Sequence, residues 1–459
     1  MGKGETEAYL GLDKGNHMGA SDRIELDFEF VSSSEFPAIC RREATAFTRR
    51  RKLTCDRLVA TALSRKGRTM KMELREFEKV GVTEHVSAPG YLKAREKLNP
   101  NALLELARFH AKNFYLSEDV LDYKGYLLLS IDGSTFNVPT NDETIEAYGN
   151  ASGQGKAQAT CGISALFDSL NRQIINATMN RGTFDERSQV AIQLETVDDV
   201  TGDRPYILVM DRGYPSLVLM ADLEDAGVPY VIRCYPNFLN SEFELASAKG
   251  GDVETKVDLS AKKRLGYIKR KNPGAYERLK SHAPLSARFL LIDIGNDTPE
   301  LLVTNLPAEE FSAEDLKEIY HLRWNVETCF AMLKDKLQTE NFTGTKPVLI
   351  EQDIFAAMYL LNVAYDLANE AERELRESGR LSLYKHEMAV NKSFAIGVVK
   401  EELLHVVLAP VEKRREMLEA VIEELKGSLV PVRKNRSYGR ASSHSIRHNR
   451  YNNTHKRVF

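Results

Sequence analysis

The chain has 459 residues, enough for several domains with sizeable cores, and its 42% hydrophobic and 28% charged content is ordinary for a globular protein. A net charge of −3 argues against a wholly basic nucleic-acid wrapper. Five cysteines (Cys40, Cys55, Cys161, Cys234, Cys329) form no CxxC pair and no disulfide-like spacing, which predicts unpaired thiols in a reducing compartment. The N-terminal stretch lacks the apolar core of a signal peptide, and no apolar run approaches bilayer length.

Residues 1–25, rich in glycine and polar groups, read as a disordered N-terminus. Residues 26–118 read as helical, and bases crowd their first half, from Arg41 to Arg75. There Arg49, Arg50, Arg51 and Lys52 precede an amphipathic pattern with Leu53, Leu58, Val59 and Ala62 on one side. Two amphipathic helices with solvated charges, or a helical DNA-binding domain contacting phosphates through these bases, both fit. At Gly125 the pattern changes. GYLLLSIDGS is a nearly unbroken apolar run, as expected of a strand buried on both faces, with Asp132 at its end. Gly162–Asn180 reads as a hairpin about SLNR, and Asp185–Val197 as a capped helix. PYILVMDRG repeats the strand pattern and ends in Asp211. A helix at Leu217–Asp225 and a strand at Tyr230–Cys234 follow, so residues 119–235 predict a mixed α/β sheet flanked by helices.

Residues 236–310 read as a β-rich insertion, with extended runs at Val253–Leu259, Leu265–Lys269, Arg288–Ile294 and Glu300–Leu306. Ser312 then signals a helix start. In Tyr320–Lys334, Tyr320, Arg323, Glu327 and Lys334 fall within about 60° of one another at about 100° per residue, beside an apolar ridge of Ile319, Val326, Phe330, Leu333 and Leu337. Residues 311–390 would complete the core, and 391–430 would form a C-terminal helical hairpin. The last segment, 431–459, is a basic tail with no acid after Arg433. His444, His448 and His455 lie in that tail without cysteines, which argues against zinc.

Two aspartates at strand ends and one helical glutamate, Asp132, Asp211 and Glu327, are hard oxygen donors suited to Mg²⁺ or Mn²⁺. Three carboxylates suffice for two ions: one bridging both and one more on each. Taken singly, the aspartates could be turn residues and Glu327 the i, i+4 partner of Arg323.

With these residues the chain resembles the DDE transposases of the insertion sequence 4 family. Asp132 in SIDGS and Asp211 in MDRGY match the family's two aspartates. Tyr320, Arg323, Glu327 and Lys334 match its Y-(2)-R-(3)-E-(6)-K signature without a gap. The resemblance covers roughly residues 40–400. It implies an RNase H-like core and cut-and-paste transposition by two-metal-ion hydrolysis and strand transfer. Asp132, Asp211 and Glu327 would be catalytic and would bind two Mg²⁺ ions, with Mn²⁺ able to substitute. Arg323 and Lys334 would contact phosphates and Tyr320 would position DNA. Family membership further implies double-stranded DNA partners (terminal inverted repeats and target), a homodimer in a synaptic complex, no membrane, and a bacterial or archaeal, nucleoid-associated cytoplasmic protein. A nuclease or resolvase that cuts without joining, and a non-catalytic repeat-binding derivative, are the alternatives. Some relatives stack an extruded base on a tryptophan of the β insertion. Here the sole tryptophan is Trp324, and the insertion offers Phe238, Phe243, Tyr267 and Tyr276 instead.

Overall fold

The computed structural model describes residues 18–49, 52–117, 119–151, 158–235, 237–259, 262–292 and 299–432. The chain divides into two compact units, Leu121–Ala331 and the remainder on either side of it.

The Leu121–Ala331 unit is built on one mixed sheet. Its strands are β1 (Leu127–Asn137), β2 (Asn150–Ala151), β3 (Gln158–Asp168), β4 (Ile174–Arg181), β5 (Tyr206–Met210), β6 (Tyr230–Cys234), β7 (Asp252–Val257), β8 (Leu285–Ile292) and β9 (Glu300–Thr304). The two runs that read as doubly buried strands are buried, β1 from Leu127 through Ile131 and β5 from Ile207 on, and β3 and β6 are also buried almost throughout. The predicted hairpin is the antiparallel pair β3–β4. The order β4-β3-β1-β5-β6, with β1, β5 and β6 parallel, is that of an RNase H-like core, as the resemblance implied. Parallel neighbours need crossovers, and the helices Arg187–Leu194 and Leu217–Asp225 provide them.

Two readings of this unit need correction. The 236–310 segment is not purely β: Leu265–Lys269 lies within the helix Lys262–Lys271, and Asn240–Ala248 and Pro273–Ser281 are also helical. Leu265 and Ile268 are spaced i, i+3, and a short apolar run does not separate that from a strand. Its strands also do not stand apart, since β9, β8 and β7 pair antiparallel outward from β6 and prolong the core sheet. In addition, Asp132 is not at a strand end. β1 continues to Asn137, because its antiparallel partner β3 runs alongside it past that point.

The other unit is helical, and by its contacts it takes in the residues from Met332 onward. Its axis is the helix Pro347–Glu377, packed against Asn101–Tyr115, Ala20–Ser32, Lys392–Leu408 and Val411–Lys426. This helix is long and apolar enough to cross a bilayer, contrary to the sequence reading, yet 89% of its apolar window is buried in the unit. It also carries polar groups that only buried partners satisfy. Asp353 receives Arg65 at 2.7 Å and Arg95 at 2.9 Å, while Asp366 receives Arg23 at 2.6 Å. The Asp366 pair explains why the N-terminal disorder expected through residue 25 is wrong from Ala20 on. Ala20–Ser32 is a helix anchored by Arg23, whose side chain is buried. Residues 1–17 and the expected basic tail from 433 lie outside the described residues.

The cysteine reading is overturned as well. Cys40 and Cys55 are joined by a disulfide with Cα atoms 6.6 Å apart, within the range a bridge spans. Helix packing brings them together, and that cannot be seen from a separation of 15 residues. Cys161, Cys234 and Cys329 are free and buried.

Candidate active site

The candidate site lies where β1, β5 and β6 meet the helix that follows β9. Parallel register decides its first row. Ser130 pairs with Val209, and Met210 with Ile232. Continuing both registers sets Asp132 beside Asp211 and Asp211 beside Arg233, at about 4.8 Å per strand and on one face. β5 ends at Met210 while β1 runs on, so Asp211 opens into a crevice at the carboxyl end of the parallel strands.

The helix lies over this face because Leu316, Ile319 and Tyr320 pack on Leu128, Ile207, Val209 and Val231. It starts as predicted, with Ser312 Oγ accepting from the Asp315 amide. The expected single helix is in fact Ala313–Leu322 and Trp324–Ala331 joined through Arg323, which keeps helical dihedrals. A π-helical turn, Met332–Lys336, follows and carries Lys334 in the other unit. π turns inside helices are frequent at functional sites.

Tyr320, Arg323 and Glu327 of the stripe lie in the same unit as the two aspartates. Tyr320 donates from its hydroxyl to Asp211 Oδ1 at 3.0 Å. Arg323 places Nη1 3.6 Å from Asp132 Oδ2 and donates through Nη2 to Glu327 Oε1. Its side chain is 1% exposed, and its Nε and Nη1 have no hydrogen-bond partner. The Tyr214 hydroxyl, close to Asp132 and Asp211 in charge interaction, is likewise buried and unpartnered.

Electrostatics separate the two aspartates. Burial is the largest influence on Asp132, and it outweighs Arg323 and the Gly133 amide, while Glu327 and Glu186 push the same way as burial. The carboxyl is raised to about 7. Burial also acts on Asp211, but Arg323, the Arg212 amide, Tyr320 and Arg233 together overcome it and hold the carboxyl below its usual range. Tyr320, buried beside Asp211, is pushed up to about 12 and stays a proton donor at neutral pH.

The residue types suit hard divalent cations: three carboxylates, two of them adjacent in register. Among the described residues, no three acidic, histidine or cysteine side chains converge tightly enough to hold an ion in the arrangement seen. Arg323 stands between Asp132 and Glu327 as their counter-ion. Glu327, 40% exposed, has room to turn away from it.

The sequence reading missed Arg233, Glu300 and Glu186. Arg233 Nη1 reaches the Tyr320 hydroxyl at 3.5 Å and Asp211 Oδ1 at 3.6 Å, and its Nη2 pairs with Glu300. The available signal was a lone charge inside the apolar run YVIRC. Glu186 lies close to Gly133, where an added Cβ would collide with its carboxyl.

A family model described as the transposase DDE domain matches residues 123–363. The chain belongs to the transposase DDE domain family. The resemblance to insertion sequence 4 transposases is borne out by the transposase InsG of element IS4 from Escherichia coli (strain K12). That protein is 24% identical over 297 residues, spanning 62% of this chain and 62% of InsG. The transposase for element IS421 from Escherichia coli is 41% identical over 56 residues, 12% of this chain and 15% of that one. The chain thus aligns with less than two thirds of either relative. Among solved structures, a piggyBac transposase in a synaptic complex with hairpin DNA matches at 12% identity and TM-score 0.43. It covers 92% of this chain and 88% of that one.

Of the predicted N-terminal DNA contacts, Arg49 and Lys52 are exposed and line a cleft of about 1530 Å³ in the helical unit, with Arg57 and Lys97. Lys52 is paired with Glu84 at 2.9 Å. Arg50 and Arg51 lie outside the described residues.

Proposed function

We propose that this protein is a DNA transposase that moves an insertion sequence by cut-and-paste. The observation that carries the reading is the row Asp132–Asp211–Arg233 across three parallel strands, faced by Tyr320, Arg323 and Glu327 from one helix. Asp132, Asp211 and Glu327 would hold two Mg²⁺ ions, with Mn²⁺ able to substitute. When bound, these ions supply Lewis-acid activation of the attacking oxygen and charge stabilisation of the leaving one.

The protein's own groups have distinct tasks in this reading. Arg323, with two unpartnered nitrogens in a buried setting, grips the scissile phosphate by charge-assisted hydrogen bonds. Tyr320 donates to Asp211 and keeps that carboxylate ionised and oriented. Arg233, anchored by Glu300, holds Tyr320 in turn. Lys334 adds a phosphate contact from the π turn. Water attacks phosphorus and the 3′ oxygen leaves, freeing a 3′-hydroxyl at the element's end. That hydroxyl next attacks a phosphodiester, expelling another 3′ oxygen, so the number of ester bonds is conserved in the joining step. Arg49 and Lys52, with Arg50 and Arg51, would contact the terminal inverted repeat. The working form would be a homodimer pairing two ends, in the bacterial or archaeal cytoplasm at the nucleoid.

The test is nicking of duplex DNA carrying the gene's own flanking sequence, with and without Mg²⁺. Wild-type protein should nick at the repeat end and, from a pre-cut 3′-hydroxyl, form joined products. Equal nicking by Asp211→Ala would overturn the reading. Nicking without joining would leave a nuclease.

A further inference from the structure

We infer that Cys40 and Cys55 are a reversible thiol–disulfide switch that sets the basic loop between them, and with it the hold of the helical unit on duplex DNA. The DNA half of this inference rests on the reading of Arg49 and Lys52 as repeat contacts; the chemistry of the pair does not.

The bridge joins the last residue of the helix Phe36–Cys40 to the first residue of Cys55–Leu63, so it closes the basic segment between them into a loop. The near end of that loop is tied to other chain by backbone. The Asn99 amide donates to the Cys40 carbonyl at 2.7 Å, and the Arg42 amide donates to the Lys97 carbonyl at 3.0 Å. Further along, the described polar contacts are local or exposed. The Thr48 hydroxyl donates to the Thr45 carbonyl, Arg57 donates to the Lys52 carbonyl, and Lys52 pairs with Glu84 where both side chains are more than half exposed. Phe47, midway, has a φ of 57°, in the left-handed region that a bulky side chain disfavours. A strained, lightly anchored loop keeps one shape while both ends are held; opening the bridge releases one of them. Thr45, Thr48, Arg49 and Lys52 of this loop form one wall of the cleft of about 1530 Å³. Bases already fixed in that wall cost less to immobilise against a phosphate backbone than bases on a slack loop.

The two sulfurs are unequal. Cys40 is fully buried, whereas Cys55 borders the cleft, so a small thiol entering there meets Cys55 first. Its thiolate bonds to Cys55 Sγ, the bridge breaks, and Cys40 leaves as a thiolate that takes up a proton. A second small thiolate attacks the sulfur of the first, and Cys55 leaves and is protonated in turn. Two small thiols thus become one small disulfide while the protein gains two thiols, and a small disulfide drives the reverse sequence. Cys55 suits this exchange. It opens a nine-residue helix and shares its cleft with Arg49, Lys52 and Arg57, a setting that favours a thiolate. Cys161, Cys234 and Cys329 are buried, and burial pushes the thiols of Cys234 and Cys329 up, which leaves them inert.

The full chain is equilibrated across ratios of reduced to oxidised glutathione, and free thiols are counted by maleimide mass. Each sample is then titrated, without divalent ions, with duplex DNA carrying the gene's own flanking sequence. Two of the five thiols should open and close across the series. Oxidised protein should bind the duplex about tenfold more tightly than reduced protein. Trypsin should cut between residues 41 and 54 about tenfold more slowly in the oxidised form. Cys40→Ser and Cys55→Ser should bind as the reduced protein does at every ratio, and Cys161→Ser should still switch. Reduced wild type carries no mutation, and its circular dichroism should remain native at the assay temperature. Global unfolding on reduction would make the bridge purely structural and overturn the switch. A pair that no ratio opens, or equal duplex affinity in the two states, would overturn it as well. Trypsin protection that switches in a chain binding duplex in neither state defeats the DNA reading alone.

Discussion

Replacing Arg233 by methionine tests how the second aspartate is kept ionised. Arg233 Nη1 lies 3.6 Å from Asp211 Oδ1, and the two side chains are 6% and 30% exposed. At an effective dielectric of about 20, a unit pair at that distance interacts by roughly 4–5 kcal/mol. Water reaching Asp211 and the remaining pull of Arg323 reduce the net effect to about 1–2 kcal/mol, or roughly one unit in the carboxyl's pKa. The direction follows from the site: burial raises Asp211, several donors including Arg233 lower it, so losing Arg233 moves it upward. The assay is a carboxyl-carbon NMR titration from pH 2.5 to 7, with the Asp211 signal assigned by its loss in Asp211→Asn. The Asp211 midpoint should rise by about one unit in Arg233→Met, from below the ordinary carboxylate range. Glu300→Gln should give a smaller shift of the same sign, since it only loosens Arg233. An Asp211 midpoint unmoved in Arg233→Met would refute the argument, because a folding defect or a lost DNA contact does not by itself shift that carboxyl's titration.

Asp353→Ala should destabilise the helical unit by about 3–5 kcal/mol, because it strands Arg95, whose side chain is wholly buried, and it should appear in chemical denaturation of that unit. His110 contributes a pH dependence of opposite sign to Asp211. Burial alone would discharge it, but Asp27 and Asp366 prevail and raise it to about 9. Its stabilisation is thus fully present below the unfolded value near 6.5 and is lost as pH rises through about 9, so a melting-temperature scan should fall over that window in wild type and stay flatter in His110→Gln. Cys40→Ser should cost about 3 kcal/mol, as expected for closing a loop of this length, and reductant should mimic it in wild-type protein but not in the variant.

Much of the chemistry was readable in the chain. SIDGS and MDRGY end or interrupt apolar runs, and Tyr320, Arg323 and Glu327 share a helical stripe; local periodicity reports such patterns directly. The Leu217–Asp225 helix and the Tyr230–Cys234 strand have the bounds their sequences suggested. What stayed hidden depends on strand neighbours distant in sequence. Glu300 meets Arg233 only because β9 pairs with β6 across the segment between them. Cys40 meets Cys55 only after helix packing.

The sequence by itself determined which residues bear charge, which segments are buried on both faces, and where three acids and a basic stripe occur. Only the tertiary structure decided that Asp132, Asp211 and Arg233 stand abreast, and that Arg323 stands between Asp132 and Glu327. The reason is physical: side-chain alternation and helical period are local properties of the chain. Register between strands is set by the whole sheet and by the core beneath it.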